Sequence, residues 1–270
     1  MRGWPLLLLL SGCSVQPAIE PGGIVSNNPC IDAVLAAIAA PGQIAAVSVY
    51  SHDADSASAP LAWAQRLPAL GMSAEEIIAA KPRLVLTGNL ASTGTNAALA
   101  KAGVKTVAVG VAASVEGDIA QIRQIANAIG RVEAGDKLIA KIKRSTSITP
   151  TAFVPSAIIW QNGGFVAGEG TLQDELLSLH GFSNASASYG LKSWGILPIE
   201  TLIRNPPDVI FMPTAGKGKN ARQLAARRKL LKRIGNQTRI VDFPDKLLFC
   251  GGPTTIAVSQ ILSQTRAAMP

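Results

Sequence analysis

The sequence predicts an α/β protein of two lobes, each with a parallel-sheet core and flanking helices. Short apolar segments alternate with helical patterns in both halves of the chain, over residues 23–109 and 157–265. This alternation is typical of parallel sheets. Between the halves, residues 114–144 contain no proline and carry apolar residues at helical spacing. We therefore expect two lobes joined by one long, rigid interdomain helix.

Local signals place the elements of the first half. Pro29 suits a first helical turn, Ser73 and Glu76 form a capping box, and Gly103 ends a helix. The predicted strands are residues 23–28, 45–50, 84–87 and 104–109, and the predicted helices are residues 31–40, 73–80 and 96–102. Each strand is short and largely apolar, as expected for buried parallel strands.

The segment at residues 114–144 predicts the connecting helix. Isoleucines recur on one face from Ile119 to Ile129, and Gly130 is a point where the helix could bend. About 30 residues at 1.5 Å rise span roughly 45 Å, which is too long for one layer of a small lobe. The predicted division is an N-terminal lobe at 23–113, the connecting helix at 114–145 and a C-terminal lobe at 146–270.

The second half repeats the construction of the first. The predicted strands are residues 157–160, 209–212 and 239–241, the predicted helices are residues 172–179, 199–204, 224–234 and 253–265, and residues 163–170 form a glycine-rich loop. In each half a glutamate is followed seven residues later by a proline and then by an apolar strand. The pairs are Glu75 with Pro82 and Glu200 with Pro207. A glutamate favours the positive end of a helix dipole and a proline stops the helix, so the repeat supports two related lobes.

The amino terminus predicts an exported lipoprotein. Arg2 precedes an apolar run at residues 6–10, and Leu10-Ser11-Gly12-Cys13 matches the lipobox, in which small residues precede a lipid-bearing cysteine. The run is too short to span a membrane, which takes about 20 apolar residues. We predict a signal peptide at 1–12, lipid attachment at Cys13 and a tether at 13–22. The predicted location is the periplasm, anchored to a membrane that the sequence does not specify, and a plain secretory signal is the alternative.

Composition narrows the function classes. The formal charge is +8, and many of the basic residues lie at 217–233. We interpret this stretch as a solvated helix face, because an export signal argues against a nucleic-acid partner. With only two histidines, His52 and His180, the chain offers no cluster of metal ligands. No nucleophile elbow or phosphate loop occurs either, so we expect no catalytic residues, no metal and no cofactor.

Two cysteines remain besides Cys13. Cys30 and Cys250 lie 220 residues apart, each between a predicted strand and a helix. They could pair in an oxidising compartment. The sequence does not show whether they meet, and we favour free, partly buried thiols.

With these features the chain resembles the substrate-binding proteins of ABC importers for cobalamin, ferric siderophores and haem. The resemblance covers residues 23–268. It rests on the opening strand, on the segment Ala80-Lys-Pro-Arg-Leu-Val-Leu86, on the long helix and on the second glutamate-to-proline segment. It implies a ligand cleft between the lobes, beyond the carboxyl ends of the strands, and a carrier that does no chemistry.

The same resemblance implies partners. These are an ABC permease with its ATPase subunits, contacted through one exposed glutamate on each lobe. By position Glu75 and Glu200 match those glutamates, and Glu76 competes with Glu75. We expect the carrier itself to be a monomer.

Candidate ligand contacts lie at predicted strand ends. They are Asn27, Asn28, Tyr50, His52, Trp63 and Asn89 in the first lobe, and Trp160, Gln161, Phe165, Trp194, Phe249 and Cys250 in the second. Aromatic walls hold flat macrocycles and chelates well, and Trp160, Phe165 and Trp194 are the strongest candidates. Because these side chains are neutral, cobalamin is the first ligand expected, with a ferric siderophore or haem as alternatives. An axial contact to haem or cobalt could come from His52 or Tyr50.

Two other functions stay open at this point. An exported α/β enzyme, such as a hydrolase or a chelate-processing enzyme, would need a catalytic group in the cleft. A surface adhesin or scaffold would have a shallow cleft without an aromatic lining.

Overall fold

The first half of the chain folds around a parallel sheet. The computed structural model describes residues 19, 21–71, 73–88, 93–147, 153–214, 221–234 and 238–269. The first sheet consists of β1 (Ile24–Ser26), β2 (Ile44–Ser48), β3 (Ala69–Leu70), β4 (Leu84–Gly88) and β5 (Thr106–Val109). Its order is β3-β2-β1-β4-β5, with every pair parallel. The order reverses between β1 and β4, which is where ligands of open α/β sheets bind.

Helices cover this sheet, and two of their starts follow the predicted signals. They are α1 (Pro29–Ile38), α2 (Leu61–Ala64), α3 (Ala74–Ala79) and α4 (Thr93–Lys101). The side chain of Asn28 caps α1 by accepting hydrogen bonds from the N–H groups of Cys30 at 2.8 Å and Ile31 at 3.3 Å. Ser73 caps α3 by accepting from the N–H of Glu76 at 3.2 Å, so the predicted capping position is confirmed.

The predicted single connecting helix is wrong, because it is two helices, α5 (Val115–Ile129) and α6 (Val132–Ser145). Gly130 adopts the left-handed conformation, with φ of 70°, and the N–H of Arg131 bonds to the carbonyl of Ala126 at 2.8 Å. This is a Schellman ending, which stops α5 and changes the direction of the chain. Helix α6 packs back on α5, where Gly135 lies so close to Ala126 that a Cβ at that position would clash.

The second half is built around another parallel sheet. Its strands are β6 (Ser156–Ile159), β8 (Ser183–Asn184), β10 (Val209–Met212) and β11 (Arg239–Asp242), in the order β11-β10-β6-β8. A separate antiparallel ribbon is formed by β7 (Phe165–Ala167) and β9 (Trp194–Ile196). The helices are α7 (Leu172–Leu179), α8 (Ile199–Arg204), α9 (Ala221–Leu231) and α10 (Pro253–Ala267).

The last helix joins the two halves. Helix α10 packs against α1 and α6 of the first half and also against α7 of the second. Its Ile256 contacts the apolar core of the first half, whereas Val258 and Leu262 lie in the core of the second. The two lobes are therefore held together by α5 and α10 rather than by one straight rod.

A disulfide also joins the halves. Cys30, at the start of α1, bonds to Cys250, just before α10, with a Cα–Cα distance of 5.0 Å. The prediction of free thiols is wrong, because the packing of α10 on α1 brings the two cysteines together, which their distance in sequence conceals.

Within the described parts of the chain, no helix combines the length and the apolar character needed to cross a bilayer.

Candidate ligand-binding cleft

Three aromatic rings form a cluster at the edge of the second lobe. Phe165 of β7 and Trp194 of β9 stack with ring centroids 5.2 Å apart and planes 8° from parallel. Phe249, from the loop before α10, lies 5.7 Å from Phe165 and 5.8 Å from Trp194. We call these three residues the ring cluster. Trp194 is 36% exposed and Phe249 is 55% exposed, so the cluster offers an apolar wall to solvent.

The ring cluster lies where the two lobes meet. Phe249 lines a narrow crevice together with Asn28, Val109, Val111 and Gln121 of the first half. Val111 is exposed beyond the end of β5. Phe249, one ring of the cluster, therefore lies beside the carboxyl ends of β1 and β5, the region where ligands of open α/β sheets bind.

The loop after β2 places one polar ring at the surface and holds the other inside. Tyr50 is half exposed. Nε2 of His52 lies 3.0 Å from the carbonyl oxygen of Ala64 and 3.1 Å from that of Leu67. Because both partners are acceptors, Nε2 carries the hydrogen, and it is not free to bind a metal. His52 therefore ties this loop to the residues after it through Nε2, and Tyr50 is the more exposed of the two rings.

The prediction for Trp160 is wrong. Its ring is 1% exposed, and its Nε1 donates to the carbonyl of Leu197 at 2.9 Å. The guanidinium of Arg227 lies over the ring, 5.2 Å from its centroid. Both faces and the polar edge are thus occupied inside the protein. Trp160 follows β6 directly, and its position at a strand end did not distinguish a core residue from a cleft residue.

The other predicted site residues are two buried amides, one tryptophan packed on a core and two residues that the structure does not describe. Asn27 and Gln161 are buried after β1 and β6, and their side-chain amides have no hydrogen-bond partner among the described residues. Trp63 packs against the core of the first half. Asn89 and Cys13 lie outside the described residues.

A buried carboxylate supports the Tyr50 loop, and the sequence analysis missed it. Asp32 of α1 is fully buried. It accepts hydrogen bonds from the N–H of Ser48 at 2.9 Å and the hydroxyl of Ser51 at 2.7 Å. Burial raises the pKa of Asp32 from 3.8 to about 7, against the hydrogen bonds, which lower it. A lone aspartate inside an apolar helix face was the available signal.

This raised pKa predicts a pH effect on stability. Between about pH 4 and pH 7 the folded chain keeps a proton on Asp32 that the unfolded chain releases. The free energy of unfolding therefore falls as the pH rises, by at most about 1.4 kcal/mol per pH unit from this group. We expect Asp32→Asn, which stays neutral, to flatten the decline in urea melts. Subtracting the free energy of unfolding of the variant from that of the wild type at each pH cancels the contributions of other titrating groups. Parallel curves of free energy against pH would contradict the raised pKa of Asp32.

Comparisons with known proteins identify the family to which this architecture belongs. The model of the family described as periplasmic binding protein matches residues 24–234, well over half of the chain. The chain belongs to the periplasmic binding protein family. A search of curated proteins finds no match.

Solved structures share the fold of this binding protein. The periplasmic heme-binding protein RhuT from Roseiflexus sp. RS-1 is 23% identical with a TM-score of 0.72, covering 92% of this chain and 98% of that one. The periplasmic heme-binding protein HutB of Vibrio cholerae is 18% identical with a TM-score of 0.71, covering 90% and 98%. Ceue of Helicobacter pylori, solved with Ni(II) bound, is 14% identical with a TM-score of 0.67, covering 92% and 84%.

Membership of this family settles the broad function. The protein is a substrate-binding component of transport and not an enzyme, its place is the periplasm, and its partners are an ABC permease and a small-molecule ligand. Within the described residues, no group of three or more histidine, cysteine, aspartate or glutamate side chains could hold a metal ion.

The two glutamates of the internal repeat lie at helix starts. Glu75 of α3 and Glu200 of α8 are both exposed and in the first turn of their helices. Glu76 is also exposed, but its carboxylate accepts a hydrogen bond from the N–H of Gly71 at 2.8 Å. This bond fixes Glu76 to its own loop and leaves Glu75 as the better candidate for contact with a partner.

Proposed function

We propose that this binding protein carries a flat metal macrocycle, with haem as the first candidate, and delivers it to an ABC permease. The observation that carries the proposal is the ring cluster of Phe165, Trp194 and Phe249. Three neutral rings at the junction of the lobes provide the apolar contact area that a porphyrin or corrin face needs.

The lining favours a macrocycle over an anionic siderophore. Among the described residues that line the crevice beside Phe249, none is an arginine or a lysine, whereas highly charged chelates call for convergent cations. The half-exposed phenol of Tyr50 offers an oxygen on the first lobe for an axial contact. Several solved structures with this fold are of proteins described as heme-binding, which is why haem precedes cobalamin as a candidate.

A ligand panel tests this function. Purified protein is titrated with hemin, cobalamin and a ferric catecholate, and absorbance and tryptophan fluorescence are followed. We expect hemin to bind at micromolar concentration or below, with a shifted Soret band and quenching of the tryptophan fluorescence. Preferential binding of cobalamin would overturn the haem assignment, and a panel without binding would overturn the macrocycle proposal.

We further propose that the protein is a monomer anchored through a lipid on Cys13. The lipobox supports this proposal, and a short tether would keep the carrier near its permease at high effective concentration. Incorporation of a labelled fatty acid into the wild type, and its loss in Cys13→Ser, is the expected result.

Docking through Glu75 and Glu200 gives another prediction. In a reconstituted permease, we expect the Glu75→Ala, Glu200→Ala double variant to lower ligand-stimulated ATPase activity about tenfold or more, because each removes a charge from the contact surface. Hemin affinity should not change. Glu76→Ala is the matched control, and equal loss in that control would contradict the choice of Glu75.

A further inference from the structure

The loop that carries Phe249 is fixed at three points to α5 and to the first lobe. Residues 244–255, which we call the junction segment, run from just after β11 into the first turn of α10. Cys250 in this segment is bonded to Cys30 of α1. The hydroxyl of Ser58 donates to the carbonyl of Lys246 at 2.9 Å and lies 3.1 Å from Sγ of Cys250.

The third point is a buried carboxylate at the start of α10. Asp118 of α5 accepts hydrogen bonds from the N–H of Gly252 at 2.6 Å and from the hydroxyl of Thr255 at 2.7 Å. Asp118 is fully buried. The end of the junction segment is thus fixed to α5, just as its middle is fixed to α1.

The same segment is held by the second lobe. The side chain of Gln173 on α7 donates to the carbonyl of Leu248, and Asn162 donates to the carboxylate of Asp245 at 2.7 Å. The junction segment therefore has partners on both lobes. Of all these links, the disulfide is the only covalent one, and it is adjacent in sequence to Phe249.

We propose that the Cys30–Cys250 disulfide is a positioning element of the ligand site, which holds Phe249 against the other two rings and so slows ligand release. This inference rests on the proposed function. Phe165 and Trp194 belong to the β7–β9 ribbon of the second lobe, whereas Phe249 is tied to α1 of the first. Because the junction segment is also bonded to Gln173 and Asn162 of the second lobe, the lobes can separate at this edge only if the segment leaves one of them, and either movement displaces Phe249. A disulfide prevents the segment from leaving α1, because its geometry keeps the two Cα atoms within a narrow range of distances.

The test compares the wild type with the Cys30→Ser, Cys250→Ser double variant. Hemin release is timed by transfer to excess apomyoglobin. We expect release about tenfold faster in the variant with little change in the association rate, since contact losses act mainly on dissociation. Hydrogen–deuterium exchange without ligand should rise in peptides covering residues 244–252. If the variant does not fold, wild type reduced and alkylated under native conditions replaces it.

A second comparison separates positioning of Phe249 from general loosening. Phe249→Ala should speed hemin release from the disulfide-bonded protein. The same substitution made in the Cys30→Ser, Cys250→Ser variant should speed release little further, because the ring is already displaced there. Asp136→Ala removes an exposed side chain from α6, keeps every one of these links and should release hemin at the wild-type rate.

The outcomes are distinguishable. Equal release rates and equal exchange with and without the disulfide would overturn the positioning role and leave the proposed function intact. A wild type that binds no hemin would overturn the haem assignment, while the exchange measurement would still decide whether the disulfide fixes the junction segment.

Discussion

Trp194→Ala is expected to weaken hemin binding roughly 10- to 100-fold, because aromatic anchors dominate the energetics of such sites. Trp194 stacks on Phe165 with nearly parallel planes and is also in contact range of Phe249. Removing the indole takes away contact area for the ligand and also support for both neighbouring rings. Absorbance titration with hemin measures the change directly.

The control for this prediction is Leu230→Ala. Leu230 lies on α9 of the same lobe and is exposed to nearly the same degree as Trp194, at 37% against 36%. Its loss should change hemin affinity less than twofold, because it is not part of the ring cluster. An unchanged affinity in Trp194→Ala would remove the ring cluster from the site, and the proposed ligand class would lose its main support.

Asp118→Ala is expected to lower the free energy of unfolding by about 3 kcal/mol. The substitution leaves the N–H of Gly252 and the hydroxyl of Thr255 buried without their acceptor at the start of α10. The side chain is fully buried, so water does not replace it without rearrangement. Urea unfolding gives the change from the midpoint and the slope.

Two variants serve as controls for the loss of stability in Asp118→Ala. Asp118→Asn keeps an acceptor for Gly252 and should lose less stability than the alanine variant. Asp136→Ala removes an exposed aspartate from α6 and should stay within about 0.5 kcal/mol of the wild type. A loss in Asp118→Ala no greater than that of Asp136→Ala would show that α10 does not depend on this contact.

Most of the layout could be predicted from local signals. Asn28 before Pro29, Ser73 before α3, and the apolar segments that became β4 and β10 are all determined by nearby residues. The ribbon of β7 and β9 was missed, because three-residue strands in a glycine-rich region lack a recognisable period.

The connecting helix shows the limit of a periodic pattern. Isoleucine spacing continues on both sides of Gly130, so the pattern alone suited one helix. The left-handed conformation of Gly130 ends α5, and Gly135 permits close packing of α6 on Ala126. Two glycines thus provide the turn and the contact, and their joint effect depends on the tertiary structure.

The placement of the aromatic candidates could be predicted only in part, for the same reason. Phe165, Trp194 and Phe249 do come together, whereas Trp160 is buried in the core beneath Arg227. All four residues occupy strand ends or loops, and only the packing of the sheet decides which face each ring takes. Asp32 and the Cys30–Cys250 pair likewise acquire their roles from elements that are distant in sequence.

The pairing of Cys30 with Cys250 has a consequence for biosynthesis. A chain exported from its amino terminus presents Cys30 to the oxidising compartment while Cys250 is still 220 residues behind. The native bond can close only after α10 has reached α1, once nearly the whole chain has crossed. Its formation therefore comes late in folding, and it requires an oxidant for the two thiols in that compartment.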